Sequence, residues 1–314
     1  MIRKTIDKIV FGWVILLILA ALIGDVTFAA SDGGRTAADF LQIGVGARSA
    51  GMGNAYSAVS DGAEASYWNP AGMSGLQDYE VSFSHFAWYQ DVTLEQGSFA
   101  FPVNDRVVMA ASIIYLDYGS IEGYDASNNS IGDITAYDWA GGLSIGYTVS
   151  DAFAVGLTGK YINQKFDETS GSAFAADLGA TYRTGRLTFA AVASNLGGSM
   201  TFENESEDLP SSLRLGVAYA PPIQGVRASF ELDNRFHGAS VLRNGVEVNF
   251  YERYFLRTGY DVDLDGEEHA FDDGLSFGAG VRLGAAAIDY AYSLKDQYSS
   301  EDVHRFSVLF RFGR

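Results

Sequence analysis

The chain has 314 residues, with 39 Asp and Glu against 21 Lys and Arg, and its formal charge of −18 leaves no basic stripe to neutralise phosphates, which excludes a nucleic-acid partner. Cysteine is absent, as suits an exported domain that needs no disulfide. Thirty-six glycines with 21 Phe and 18 Tyr, beside only five prolines, favour strands joined by tight turns over helices.

Residues 1–29 read as a secretory signal peptide. Arg3, Lys4 and Lys8 give a basic start, Ile9 to Ile23 an apolar middle, and the small residues around Ala29 and Ala30 a cleavage site after Ala29. A retained anchor is the alternative, but the apolar stretch falls short of the ~20 residues that a spanning helix needs. The roughly 285 residues that remain suffice for one large domain.

Residues 30–78 form the next unit, rich in Gly, Ala and Ser from Thr36 to Gly75 and without period-2 alternation. No Gly-Lys-Ser/Thr follows the glycines and no strand precedes them, so they do not form a phosphate cradle. A compact insert whose small residues permit close packing is the better reading.

Alternation then dominates residues 79–314. Strands are expected at 79–89, 92–102, 106–118, 135–149, 152–166, 172–183, 186–194, 211–220, 226–236, 245–251, 254–260, 274–284, 286–294 and 302–312. At the C-terminus, for example, Phe306, Val308, Phe310 and Phe312 alternate with Arg305, Ser307, Leu309 and Arg311. The tenth and eleventh strands carry the weakest pattern, and without them the count is twelve. Connections at Val103-Asn104-Asp105, Ser150-Asp151, Thr184-Gly185, Pro221 to Gly225, Glu252 and Ala285 are short. Those at 119–134, 167–171, 195–210, 237–244, 261–273 and 295–301 are longer and polar, and only Gln90-Asp91 is a tight turn among them. An even strand count with short and long connections in turn predicts an all-β fold, a transmembrane antiparallel β-barrel of about 14 strands with periplasmic turns and external loops. Near-zero mean hydropathy agrees, because lipid-facing and lumen-facing residues cancel.

The two faces differ sharply. Trp139, Leu143, Ile145, Tyr147, Phe153, Val155, Leu157, Leu213, Leu215 and Val217 are expected to meet outer-membrane lipid. Lys160, Asp177, Arg214, Arg227, Glu231, Asp233, Arg235, Arg257, Arg282, Asp289 and Arg311 are expected in the lumen, since a charge at the lipid midplane costs about 2–4 kcal/mol. Neutralisation between neighbouring strands, such as Arg282 with Asp289, accounts for such residues more simply than a ligand does.

One external loop carries a local motif. Asp261, Asp263 and Asp265 at positions 1, 3 and 5, Gly266 at 6, Glu267 at 7 and Asp272 at 12 match the calcium-loop template. Asp272 replaces the longer Glu and the flanks read as strands, so a solvated acidic hairpin tip competes with calcium binding. No other cofactor is indicated. His85, His237, His269 and His304 are scattered and no nucleophile motif stands out among the serines, so the chain reads as a non-enzyme.

Gly46-Ala47-Arg48-Ser49-Ala50-Gly51-Met52-Gly53 and Tyr67-Trp68-Asn69-Pro70-Ala71-Gly72 resemble the N-terminal signature of the PorV/PorQ family within the FadL-type outer-membrane transporters. Asn195-Leu196-Gly197, Leu209-Pro210, Leu256-Arg257-Thr258-Gly259-Tyr260 and Asp289-Tyr290-Ala291-Tyr292 resemble later landmarks in the same order. The resemblance implies a fourteen-stranded barrel whose N-terminal segment, with Arg48, Trp68, Asn69 and Pro70, folds into the lumen as a hatch. It also implies an outer-membrane protein that binds exported proteins in type IX secretion and passes them to surface-anchoring machinery. FadL-type members instead admit long-chain fatty acids or other hydrophobic small molecules through a channel gated by the hatch.

Overall fold

The computed structural model describes residues 36–88, 92–202, 205–264, 274–294 and 302–313. The expected signal peptide, 1–29, lies outside them.

Among the described residues eighteen strands form in chain order: β1 (Tyr79–Ala87), β2 (Thr93–Asn104), β3 (Val107–Asp117), β4 (Ile121–Tyr124), β5 (Ser130–Ile134), β6 (Ala136–Thr148), β7 (Phe153–Phe166), β8 (Thr169–Thr184), β9 (Leu187–Gly197), β10 (Met200–Phe202), β11 (Glu205–Glu207), β12 (Ser212–Tyr219), β13 (Val226–Arg235), β14 (Val241–Phe250), β15 (Tyr254–Asp263), β16 (Leu275–Leu283), β17 (Ala286–Ser293) and β18 (Val303–Phe312). Fourteen of them close into one antiparallel barrel, and β4–β5 and β10–β11 are separate two-stranded hairpins. Closure joins β1 to β18, with Tyr79 opposite Phe312 and Ala87 opposite His304. Each of the fourteen barrel strands is paired on both edges, as a bilayer requires.

Side-chain parity follows the sequence pattern. Leu143, Leu157, Phe174, Phe230 and Phe310 stand exposed on the outer wall. On the opposite parity Asp177, Arg214, Glu231, Arg243, Glu247, Arg257 and Arg305 are buried. Sharp reversals close the short-turn end. Between β14 and β15, Tyr251 and Glu252 both adopt positive φ, 56° and 55°, as a two-residue type I′ turn demands.

Four boundaries differ from the sequence expectation by three residues or more: β8, expected over 172–183, begins at Thr169, β9, expected over 186–194, runs on to Gly197, and the other two belong to β14 and β15. The tenth barrel strand, expected over 245–251, begins at Val241, and the eleventh, expected over 254–260, runs on to Asp263. Arg243 and Asp261 pair in register across these strands. Their charge reads as loop in sequence but sits on the wet inner face, where it does not interrupt a strand. Likewise the expected loops at 119–134 and 195–210 contain the β4–β5 and β10–β11 hairpins.

The segment from Thr36 fills the barrel as a hatch. It coils through short helical turns at Asp39–Gln42, Ala47–Ala50, Ala65–Trp68 and Pro70–Met73. Asn69 caps the last, its side-chain oxygen accepting from Ala71 N at 3.0 Å, and Pro70 supplies the preset φ at the first helical position. Phe40, Leu41, Ile43, Val45, Met52, Tyr56, Val59 and Trp68 of the hatch form one apolar cluster with Phe86, Leu94, Ile114, Leu116, Ile162 and Val303 of the wall. Barrel and hatch therefore share a core.

Candidate functional site

The site that the fold builds is the seam between hatch and lumen wall. Close approach comes first. A Cβ at Gly259 would stand 1.9 Å from Gly53 N, at Gly179 2.2 Å from Asn69 Oδ1, at Gly156 2.3 Å from the Pro70 carbonyl carbon, and at Gly245 2.3 Å from Met52 O. These inward positions are glycine because hatch atoms, backbone at Gly156, Gly245 and Gly259 and the Asn69 and Pro70 side chains at Gly179, occupy the space of a side chain.

Polar groups then fasten the hatch all round the wall. Wall side chains accept hatch amides: Gln164 from Ala38 N (2.8 Å), Ser307 from Ala47 N (2.7 Å), Ser276 from Gly53 N (3.1 Å), Glu231 from Ser57 N (2.8 Å) and Glu80 from Ala63 N (2.6 Å). Gly53 N also donates to Ala50 O at 2.9 Å, but short helical turns leave the other four amides without helical partners, so there the wall meets a demand the hatch turns do not.

Arg48 is the strongest single tie. Its Nε and Nη2 donate to both oxygens of Glu247, at 2.9 and 3.0 Å, and Nη1 donates to Asp61 at 3.0 Å. Glu247 also accepts from Arg257 Nε at 2.8 Å, and Arg257 Nη1 donates to Asp289 at 2.6 Å. A bidentate, buried arrangement of this kind is geometrically specific. Burial opposes the Arg48 charge, yet Tyr56, Asp61 and Glu247 more than offset it and raise its pKa. Nearby, Glu64 of the hatch is pushed up to about 8 by burial and then by the charge of Asp289.

Trp68 is 2% exposed and anchors the other half of the hatch. Its Nε1 donates to Val45 O at 3.0 Å, Tyr56 and Tyr67 stand edge-on to it, and the Arg214 guanidinium lies 5.4 Å over its ring. Asn69 Nδ2 donates to Ser57 O at 3.0 Å.

The remaining expected lumen residues fall into place individually. Lys160 meets Asp177 at 2.8 Å and Asn195 at 2.6 Å. The β8–β9 register shifts at this point, between Ala176 and Leu178. The bulge lets Asp177 accept Asn195 N at 2.7 Å, with Asn195 at φ 56°. Arg243 bridges Glu231 and Asp233 at 3.4 and 2.9 Å. Arg311 bonds Glu80, and Arg227 stands at the short-turn mouth.

The pairing suggested for Arg282 with Asp289 is corrected. Asp289 lies opposite Gly280, which has no side chain, and its carboxylate reaches across to Arg257, while Arg282 stacks 5.4 Å from the Phe255 ring. Glu247, Glu80 and Arg243 hold or brace the hatch without having been singled out in sequence. Their signal was the same one that marked Arg257, a charge on the inward parity of a strand.

Of the acidic loop, Asp261 and Asp263 end β15, and Asp265, Glu267 and Asp272 lie outside the described residues. Among the described residues no group of acids or histidines stands close enough to hold a metal.

Midway along the lumen, two small cavities lie between hatch and wall. One of about 20 Å³ lies among Leu41, Tyr67, Trp68, Lys160, Arg214 and Arg243, and another of about 10 Å³ beside Ser66, Gln96 and Thr158. Each has room for about one water. A wider cleft of about 290 Å³ lies outside, between the β4–β5 and β10–β11 hairpins, lined by Tyr118, Ile121, Ala136, Lys165, Phe166 and Phe202.

A closed fourteen-stranded antiparallel barrel whose N-terminal segment is welded into its lumen defines a membrane-spanning β-barrel closed by a hatch. The chain belongs to the PorV family: the family model described as type IX secretion system protein PorV matches residues 30–221. It is thus an integral outer-membrane barrel of type IX secretion.

Solved structures agree on the fold. The monoaromatic hydrocarbon channel CymD aligns over 87% of this chain and 98% of its own, with a TM-score of 0.61 at 13% identity. A Pseudomonas aeruginosa FadL homologue covers 85% of this chain and 98% of its own (TM-score 0.57, 12% identity), and the P. putida toluene transporter TodX 86% and 99% (TM-score 0.57, 13% identity). No curated protein sequence matches the chain.

Proposed function

We propose that the protein is a closed membrane anchor whose external hairpins hold exported proteins for attachment at the cell surface, and that substrate does not pass through its lumen. The observation that carries this reading is the hatch seam, where hatch atoms fill the space beside inward glycines and the Arg48, Glu80 and Glu231 ties reach separate strands. Family membership supports the secretion role. The external cleft between the two hairpins offers aromatic side chains beside Asp138 and Lys165, a composition suited to a polypeptide partner.

Native mass spectrometry after gentle extraction from the outer membrane tests this reading. The expected result is a stoichiometric exported protein, lost when Phe166 and Phe202 are both replaced by Ser. A monomer carrying a fatty acid or another amphiphile would instead assign the barrel to uptake.

A further inference from the structure

One sector of the short-turn mouth, from the β8–β9 turn to the start of β13, carries a charge opposite to that of the molecule as a whole. The chain as a whole is strongly acidic at −18, and its external hairpins hold Glu122, Asp125, Asp133, Glu205 and Glu207. At the other end Arg183 and Arg186 flank the β8–β9 turn, and Arg227 opens β13.

These three arginines converge on a cleft of about 280 Å³ between the wall and the hatch loop Ala58–Asp61, with Ala218 and Thr188 completing it. Among the described residues none of the three is ion-paired, and the one acid in the lining, Asp61, is taken by Arg48 at 3.0 Å. The cleft is therefore locally cationic, with Ala58, Val59 and Ala218 as an apolar floor.

We infer that this cleft is a periplasmic binding site for an acidic polypeptide segment. Guanidinium groups bind carboxylates in a planar, two-point geometry, and three of them around one cleft fit neighbouring carboxylates on a single chain. The volume exceeds what one small anion fills and approaches that of ligand clefts. Arg183, Thr188, Ala218 and Arg227 share the parity of lumen residues on their strands, so the cleft opens toward the periplasm and not toward lipid headgroups outside the wall. The site lies at the opposite end from the external hairpins and does not depend on what those hairpins hold.

The purified barrel in nanodiscs of zwitterionic lipid would be titrated with fluorescein-labelled hexaglutamate, with hexalysine as the control. The expected result is saturable binding of hexaglutamate alone, weakened by salt and reduced about tenfold in the R183Q/R186Q/R227Q variant. Ala220→Trp, which fills the cleft without altering charge, should also abolish binding, and it decides the question if the triple variant fails to assemble. Equal hexaglutamate binding in wild type and both variants would overturn the proposal. So would displacement of the peptide by inorganic phosphate at equal concentration, or occupation of the cleft by an anionic phospholipid added to the nanodisc, since either assigns the arginines to phosphate.

Discussion

Glu64 shows how much one buried group contributes to the pH behaviour of the hatch. It is 6% exposed, faces Asp289, Glu80 and Asp61 as well as Arg48, and its carboxyl is pushed up to about 8 from 4.5, chiefly by burial. Below pH 4.5 both folded and unfolded chains hold its proton, so it leaves stability unchanged. Between 4.5 and about 8 only the unfolded chain has released it, and stability falls as pH rises. The slope from this residue approaches ~1.4 kcal/mol per pH unit. Glu64→Gln should flatten the fall in thermal midpoint between pH 5 and pH 8 and raise stability at the upper end; a parallel pair of pH curves would show that Glu64 ionises freely in the fold. Arg48 acts through geometry. Arg48→Ala leaves Glu247 with Arg257 as its remaining partner, a loss of about 1.5–3 kcal/mol for hydrogen bonds to a charged group, and should raise conductance in planar bilayers, as should Trp68→Ala. Arg48→Lys should not restore closure, because an ammonium cannot engage both Glu247 oxygens in one plane. Wild-type conductance in both alanine variants would mean that the hatch is held elsewhere.

At the scale of elements, the inward glycines are the part of the wall that the hatch reads. Gly259→Val places a side chain where Gly53 N already lies 1.9 Å from a Cβ, so strand and hatch backbone cannot both keep their positions. Gly159 on β7 has nothing within 4 Å of its Cβ. Gly159→Ala should therefore leave the thermal midpoint unchanged while Gly259→Val lowers it and opens the lumen, as measured by heat-dependent gel mobility and conductance; equal midpoints would show that the seam yields to a side chain. The strands themselves were legible in sequence because alternation such as Phe306 to Phe312 is a property of neighbouring residues. The ends of β14 and β15 were not, since Arg243 and Asp261 look like loop residues until a partner strand supplies the opposite charge. The hatch motifs were legible as small and close-packing, yet its wall contacts were not. Ala47 with Ser307 and Gly53 with Ser276 are separated by more than two hundred residues, and no local pattern encodes such pairs. The Arg282 suggestion placed the two charges on the right neighbouring strands but not in the right register: Arg282 lies opposite Ala287, and the glycine opposite Asp289 frees its carboxylate to turn toward Arg257.

For the whole molecule, hatch and wall cannot be treated as plug and pipe, because the apolar cluster runs from Phe40 and Trp68 of one into Leu94 and Ile162 of the other. A barrel without the hatch would keep its ladder of backbone bonds and its lipid-facing surface. It would also expose the inner ends of Leu94, Ile114 and Val303 to water and strand Glu80 and Glu231 without the amides of Ala63 and Ser57. The wall alone is thus expected to assemble but to be less stable, since closed strand pairing satisfies the backbone while the lumen loses its apolar and polar partners together. Deletion of residues 36–75 should give a conducting barrel whose heat-induced unfolding occurs at lower temperature than that of the full chain. Conductance without any fall in the unfolding temperature would show that the hatch closes the lumen without supporting the wall. Failure to insert at all would show that the shared core must form before the strands close, and would make the hatch part of assembly as well as of closure.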